Sequence, residues 1–272
     1  MSTQYNSIGD SYIQVKNLPL MRYLEIPAVR AAIQPYLSDH AGEAPRVLDL
    51  ACGTGFYSRL LLSWGAFSVL GIDISPAMID AARAHPDSVA AQGRLTFRVG
   101  DAANLGVLSE STAPFDIVTA VLLLPHAASG AEMTAMWETV AQNLGPGGVF
   151  VGVVVEPVDD HDLAQYVARQ RLQRAHNPSP FGLELEYDES TLASGEGYRV
   201  KVTPRVERVF SFDAYHLTRG VYEAAARKAG MTGDIEWRVM DVTDEARAAM
   251  GDKYWDSYTE YIPKYAVIVV HK

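Results

Sequence analysis

The sequence predicts an α/β protein built around a doubly wound, mostly parallel sheet of seven strands. Five short apolar runs alternate with helical patterns between residues 46 and 155, which is the order of βαβ units. These runs are apolar almost throughout, as expected where helices cover both faces of a parallel sheet. Two more strand patterns, at residues 235–240 and 265–270, complete the predicted sheet.

Each predicted strand is short, rich in β-branched or aromatic residues, and bounded by Gly, Pro or polar residues. The first five predicted strands are residues 46–50, 67–72, 95–99, 115–121 and 149–155. Helices are predicted at residues 57–64, 76–84, 131–144, 159–175 and 213–228. Ser75 and Pro76 are a typical N-cap and first helical residue, and Gly145-Pro146 predicts the end of the third helix.

The order of elements changes after residue 156. Residues 198–202 and 206–212 alternate in polarity on either side of Thr203-Pro204-Arg205, which predicts an antiparallel hairpin. We therefore divide the chain into an N-terminal helical lid (1–45), a cofactor-binding core (46–156), an inserted α+β cap (157–212) and a C-terminal completion of the core sheet (213–272).

Composition excludes several classes of function. The 272 residues carry 23 Lys and Arg against 33 Asp and Glu, a net charge of −10, which disfavours nucleic acid as a partner. Cys52 is the one cysteine, so an internal disulfide and a cysteine-based zinc site are excluded. The acidic run around His161 is typical of a solvated helix start, and no metal is expected. We see neither a signal peptide nor a bilayer-spanning run, and expect a cytoplasmic protein with no membrane partner.

The segment VLDLACGTGF, residues 47–56, joins the first strand to the first core helix through a glycine turn. Gly53 and Gly55 allow positive φ angles and a close approach of a ligand to the backbone. The N–H groups at the start of the next helix can meet a polar ligand group. The dinucleotide pattern G-x-G-x-x-G fails at Ser58, and a GxG alone also fits an ordinary strand–helix turn.

Three successive strands end in carboxylates. Asp49, Asp73 and Asp101 stand at or just past the ends of the first, second and third predicted strands. Ligands of doubly wound sheets bind in the crevice outside the carboxyl ends of the strands, where an Asp can accept from ribose hydroxyls. Any one of these residues could be a solvated strand end or a helix cap, but three together favour a binding crevice.

With these motifs the sequence resembles the class I S-adenosylmethionine-dependent methyltransferases. The matching segments are VLDLACGTGFYS, GIDISPAMIDAAR, FRVGDAANL, FDIVTAVLLLPHA and LGPGGVFV, in that order over residues 46–155. Ala51 departs from the glycine that many members have, although alanine also occurs there. The resemblance implies that the methionine portion of the cofactor is held by Asp49, Ala51, Cys52, Gly53, Thr54 and Gly55.

The resemblance also assigns residues to the adenosine portion, at the ends of the next three strands. These are Asp73 for the ribose hydroxyls, Ile74 and Met78 against the adenine, Asp101 and Ala102 for the adenine edge, and Leu122 for the floor of the site.

The flanking segments resemble small-molecule methyltransferases of microbial secondary metabolism, including the toxoflavin-biosynthesis type. The segments that carry this similarity are YNSIG and PLMRY near the start and YWDSY near residue 256. In such enzymes the N-terminal helix closes over the cofactor, which would bring Tyr5, Tyr12 and Arg22 to it and Tyr23 to the substrate. Ordinary helix packing would equally explain these residues.

Methyl transfer from a sulfonium needs alignment and exclusion of water more than a side-chain acid or base. His126, after the fourth strand, and Glu156, after the fifth, are nevertheless candidate catalytic bases. Aromatic residues of the cap could form an acceptor pocket or the cap's own core. The candidates for substrate binding are Phe181, Tyr187, Tyr198 and Phe210.

The leading hypothesis is therefore an S-adenosylmethionine-dependent methyltransferase that acts on nitrogen or carbon of a small natural product, for example a terpenoid or prenylated compound. Two other interpretations stay open. One is a non-catalytic protein that binds the same cofactor for regulation or as a scaffold, and the other is a nicotinamide-dependent oxidoreductase. An N-terminal helix that can lie across a neighbouring copy would also allow a homo-oligomer.

Overall fold

The computed structural model describes residues 3–38, 44–91, 93–108, 114–177, 180–260 and 264–272. The strands of this part are β1 Arg46–Leu50, β2 Ser68–Asp73, β3 Leu95–Val99, β4 Phe115–Val121, β5 Leu144–Val155, β6 Leu183–Tyr187, β7 Gly197–Pro204, β8 Phe212–Leu217, β9 Ile235–Val239 and β10 Tyr265–His271. The α-helices are α1 Ile26–Ser38, α2 Phe56–Trp64, α3 Pro76–Ala84, α4 Pro86–Ala90, α5 Gly130–Asn143, α6 Leu163–His176, α7 Arg219–Lys228, α8 Asp244–Met250 and α9 Asp252–Glu260.

Seven strands form the main sheet in the order β3-β2-β1-β4-β5-β10-β9. The first five are parallel, and β10 runs antiparallel to both β5 and β9. The predicted seven-stranded, mostly parallel sheet is confirmed. The order reverses between β1 and β4, and this switch point is where a crevice opens at the carboxyl ends of the strands.

Helices cover both faces of this sheet, which explains why its strands are apolar almost throughout. Successive residues of β1 enter opposite cores, because side chains alternate along a strand: Val47 packs on one face, and Leu48 and Leu50 on the other. Trp137 of α5 lies on the second face with its ring centroid 4.5 Å from that of Phe150 in β5. This double cover fixes the strand ends that carry the candidate site.

A second, antiparallel sheet has the order β6-β7-β8. The predicted hairpin is wrong in its second strand, because β7 pairs with residues 212–217 and not with 206–212. The predicted helix at 213–228 accordingly begins only at Arg219. Both segments alternate in polarity, but 206–211 is largely exposed, whereas Asp213 in β8 exchanges two hydrogen bonds with Gln4 of the N-terminal segment.

The N-terminal segment is helical without being one continuous α-helix. Short 3₁₀ turns at Gln4–Asn6 and Gly9–Asn17 lead into a π-helical turn at Met21–Glu25, which continues directly into α1. The wider π turn is buried at Met21, Leu24 and Glu25. Such turns often mark functional positions in helices, and Glu25 proves to be part of the site.

The pairing of β7 with β8 can be tested by a substitution at Gly197. A Cβ on Gly197 would lie 2.3 Å from the backbone oxygen of His216 on β8, closer than atoms can approach. We expect Gly197→Ala to lower the free energy of unfolding by about 1–3 kcal/mol and to expose β8 amides to hydrogen exchange. Thr191→Ala, at an exposed neighbouring position, should change stability by less than about 0.5 kcal/mol. Equal effects in urea unfolding would contradict this pairing.

Candidate functional site

The turn after β1 is built from left-handed backbone. Gly53 has a φ of 54° and Gly55 a φ of 75°, and a Cβ on Gly55 would lie 2.6 Å from the ring of Phe97. Glycine is therefore required at residue 55 on two grounds, backbone conformation and space. Non-glycine residues with positive φ in the described chain are Ala51, Leu122 and Phe181, and the first two lie at the ends of β1 and β4. Strained residues of this kind cluster at functional sites.

Asp73 fastens this turn to the end of β2. Its Oδ2 accepts from the backbone N–H of Gly53 at 2.8 Å, and its Oδ1 accepts from that of Ser75 at 2.9 Å. Burial raises the pKa of this carboxyl, while the two N–H donors oppose the rise. The carboxylate is thus held in place and turned to the crevice.

Asp49 lies behind the turn and is fully buried. Ser58 donates to its Oδ2 at 2.6 Å and Thr119 donates to its Oδ1 at 2.8 Å. Desolvation raises its pKa to about 6, against the lowering effect of the two hydroxyl donors. Ser58, which breaks the dinucleotide pattern, therefore has a structural role as a donor to Asp49.

Asp101 follows β3 and caps the loop after it. Its Oδ1 accepts from the backbone of Ala103 and its Oδ2 from the side chain of Asn104, both at 2.9 Å. These bonds fix the carboxylate at the third strand end. The three predicted carboxylates thus share one crevice.

A buried ion pair lies beside the glycine turn. Lys16 Nζ donates to Glu25 Oε1 at 2.5 Å, and the hydroxyl of Tyr57 donates to the same oxygen at 2.8 Å. Lys16 also sits 4.9 Å from the centre of the Tyr57 ring. Glu25 Oε2 is buried and has no hydrogen-bond partner. A buried ion pair with an unsatisfied oxygen is costly for stability, which favours a functional role.

Aromatic rings form another wall of the site. The Tyr5 hydroxyl and His126 Nε2 are hydrogen bonded at 2.9 Å, and the Tyr5 ring contacts those of Tyr12 and Phe212 at 5.8 and 5.6 Å between centroids. Burial lowers the pKa of His126 to about 4, opposed by a hydrogen bond to the backbone of Asp213. His126 is therefore neutral near pH 7.

Three consecutive residues tie the N-terminal segment to three different walls. The Gln4 side chain donates to the backbone oxygen of Asp213 at 3.0 Å and accepts from its N–H at 2.8 Å. Tyr5 bonds His126, and Asn6 Oδ1 accepts from the Ser75 hydroxyl at 2.8 Å. We call residues 4–6 the N-terminal latch.

The latch closes a cavity of about 610 Å³ at the carboxyl ends of the core strands. This volume falls within the range of about 300–1,000 Å³ typical of small-molecule sites. Fourteen of the sequence-predicted residues line it: Tyr5, Tyr12, Asp49, Ala51, Cys52, Gly53, Thr54, Asp73, Ile74, Met78, Asp101, Ala102, Leu122 and His126.

Other predicted residues lie elsewhere. Arg22 is exposed with its guanidinium over the ring of Tyr23, and neither lines the cavity. Gly55 lies under the turn, against Phe97. Glu156 bonds through its backbone N–H to Lys264 and is also outside the lining.

The predicted aromatic residues of the cap serve mainly packing. Phe181 stacks at 6.4 Å on Trp255, beside α9. Tyr187 bonds His216 at 3.0 Å inside the cap, and Tyr198 belongs to the same small core. Phe210 lies 6.2 Å from the Tyr12 ring, behind the cavity wall. Tyr187 and Tyr198 thus form part of a cap core, Phe181 and Phe210 pack against the main core, and none of the four lines the cavity.

Several lining residues have no counterpart in the sequence prediction. They include Gln4, Lys16, Asn104, Glu132 and Asp213. Lys16 carried one usable signal, its position in the lid segment four residues after Tyr12.

Within the described ranges, no group of three or more His, Cys, Asp or Glu residues is placed to hold a metal ion. No helix of the described chain is long and apolar enough to cross a bilayer.

Known proteins resemble this chain in sequence and in fold. The family described as "Methyltransferase domain" matches residues 47–148. Trans-aconitate 2-methyltransferase of Streptomyces avermitilis is 30% identical over 104 residues, 38% of this chain and 36% of that protein. Malonyl-[acyl-carrier protein] O-methyltransferase of Magnetococcus marinus is 31% identical over 105 residues, 35% of this chain and 37% of that protein. The match thus spans about a third of the length of these curated relatives.

The fold similarity extends over most of the chain. The crystal structure of an S-adenosylmethionine-dependent methyltransferase from Mesorhizobium loti superimposes with a TM-score of 0.58 at 22% identity, and covers 95% of this chain and 100% of that one. Residues 47–148 therefore match the methyltransferase domain family, and the chain shares the fold of that crystal structure.

Proposed function

We propose that this protein transfers the methyl group of S-adenosyl-L-methionine to nitrogen or carbon of a small acceptor, releases S-adenosyl-L-homocysteine, and acts in secondary metabolism. The observation that carries the proposal is the convergence of Asp49, Asp73 and Asp101 on one cavity around a left-handed glycine turn. The second sheet and the latch would form the acceptor side.

The residues present fit the adenosine portion. Each Asp73 oxygen accepts one backbone N–H, and a carboxylate oxygen has a second lone pair for a ribose hydroxyl. Asp101 is fixed in the same way beside the predicted adenine position. Ile74 and Met78 supply apolar surface in the same lining.

The methionine portion carries an ammonium, a carboxylate and a sulfonium. Lys16 is the one Lys or Arg among the described lining residues, so we assign the carboxylate to Lys16 in place of the predicted Arg22. Asp49 supplies negative charge for the cationic groups. Glu25, the partner of Lys16, has one buried oxygen without a hydrogen-bond partner, which a ligand could satisfy.

When bound, the cofactor supplies a methyl group already activated by positive sulfur. The chain then needs to align the acceptor and exclude water, which the latch and the aromatic wall can do. His126, with a pKa of about 4, is a weak proton acceptor. We therefore assign His126 to positioning Tyr5 and propose no obligatory side-chain base; Glu156, outside the lining, has no such role.

Two measurements test the proposal. Calorimetric titration with S-adenosyl-L-homocysteine should give saturable binding, and mass spectrometry should detect a methyl gain on acceptors incubated with cofactor and protein. Absence of cofactor binding by folded protein would refute the proposal. Binding without transfer over a broad acceptor panel would favour the scaffold interpretation.

Lys16 gives the sharpest test of the cofactor geometry. We expect Lys16→Met to weaken binding of S-adenosyl-L-homocysteine about 10- to 100-fold, because a charge-assisted hydrogen bond is lost. Arg22→Met, on the same segment but exposed, should bind as the wild type does. Since Lys16→Met leaves Glu25 charged and buried, the double variant with Glu25→Gln guards against misfolding. A loss confined to Arg22→Met would reinstate the original assignment.

Asp49 predicts how cofactor binding depends on pH. Its pKa in the folded protein, about 6, lies above that of an unfolded Asp, so the carboxyl takes up a proton as the pH falls through 6. A cationic ligand needs the ionised form. Affinity should therefore be full above about pH 6 and fall by up to about tenfold per pH unit below it.

The matched variant is Asp49→Asn, which keeps partners for Ser58 and Thr119. Asp49→Asn should bind the cofactor more weakly than the wild type at pH 7.5, and its affinity should depend much less on pH. Any remaining pH dependence is expected from Asp73, whose pKa is also raised. Calorimetry between pH 5 and 8 measures both. An unchanged pH profile in Asp49→Asn would contradict the assignment.

A further inference from the structure

Negative charge dominates the whole cavity, including the end that the cofactor assignment leaves free. The acidic residues of the lining are Asp49, Asp73, Asp101, Glu132 and Asp213. The first three are assigned to the cofactor, which leaves Glu132 and Asp213 on the acceptor side. His126 adds no positive charge near neutral pH, because burial keeps it neutral.

No cation in the described lining is available to an acidic acceptor. Lys16 is paired with Glu25 and is assigned to the cofactor. Arg199 lies 3.6 Å from Asp213 Oδ2, but it does not line the cavity and also bonds Asp188 at 2.9 Å. A carboxylate or phosphate entering here would meet Glu132 and Asp213, and Arg199 offsets only part of their charge because it also pairs with Asp188, so acidic ligands are disfavoured.

The walls favour flat rings and positive charge. Tyr5, Tyr12 and Tyr215 line the cavity, and Phe212 packs behind the first two, 5.6 and 6.1 Å away between centroids. Aromatic faces stack on rings and attract cations. The nearby carboxylates also attract positive charge.

Polar residues also line the cavity. Thr3, Gln4 and Asp213 are among them, and a carboxylate oxygen such as those of Asp213 can accept more than one hydrogen bond. A nitrogen on a flat ring can donate such a bond, which an unfunctionalised terpenoid chain cannot do.

We infer that the acceptor is a small aromatic amine, uncharged when it enters, and that this end of the cavity rejects carboxylates and phosphates. This inference rests on the proposed function. As the nitrogen lone pair forms the N–CH₃ bond, the C–S bond breaks and its electron pair stays on sulfur, so the positive charge moves from sulfur to nitrogen. Glu132, Asp213 and the ring faces stabilise that charge, and the product then loses a proton to water at the exposed mouth.

Quinolin-3-amine and quinoline-3-carboxylate test the charge preference, because they share one ring and differ in one group. We titrate each into protein saturated with S-adenosyl-L-homocysteine. The amine should bind at least about tenfold more tightly than the carboxylate, a ratio expected from one or two nearby charges in a partly solvated site.

Charge-removing variants show whether the named residues cause the preference. Glu132→Gln keeps an oxygen for the helix-capping bond from the Ala128 N–H, and combined with Asp213→Asn it should bring the affinity ratio close to one. Glu138→Gln, exposed on the same helix and outside the lining, should leave the ratio unchanged.

The outcomes separate the two claims. Failure to bind S-adenosyl-L-homocysteine refutes the proposed function itself. Normal binding of that ligand with a carboxylate preference, an equal affinity for both probes, or no binding of either probe overturns the amine inference alone. A preference that survives in the double variant also overturns it, because the selection would then arise elsewhere.

Discussion

The hydrogen bond from the backbone of Gly53 to Asp73 sets the geometry on which the rest of the site depends. It fastens the turn after β1 to the end of β2, so that two neighbouring strand ends present a fixed surface. Gly53 and Gly55 adopt left-handed backbone without steric cost, and the bond to Asp73 holds this otherwise permissive turn in one conformation. Asp49 lies behind this turn and Asp101 beside it. The floor of the cavity is therefore shaped by the ends of the sheet strands, and the N-terminal segment completes it.

Residues near the start of the chain complete the cavity. The N-terminal latch joins the cap at Asp213, the segment after β4 at His126 and the segment after β2 at Ser75. These contacts link residues up to 209 positions apart in sequence. Breaking these few hydrogen bonds would widen the opening of the cavity. Lid motions of this kind set the turnover rate of many enzymes.

Local sequence patterns were sufficient for the core. The predicted bounds of β1, β3 and β4 and of α3 agree with the structure, because apolar runs and the Ser75 cap are local signals. The glycine turn and its three carboxylates were also found from spacing. The partner of β7 was not, since two adjacent segments alternate equally well in polarity and the pairing accompanies contacts that are distant in sequence, such as that of Asp213 with Gln4. Lys16 was missed because its function comes from Glu25 and Tyr57, which no local pattern connects to it.

The cavity takes its lining residues from two parts of the chain, the matched domain and its flanks. Residues 47–148, the matched domain, supply the turn, the three carboxylates that we propose for the cofactor, and Glu132. Tyr5, Tyr12, Asp213 and Tyr215 lie outside that range. Substitutions in the first fifteen residues or in β8 can thus alter which compound is accepted while the adenosyl half of the cavity keeps its shape. Descendants of such a gene could acquire new chemistry through its two flanks, with the central segment inherited unchanged.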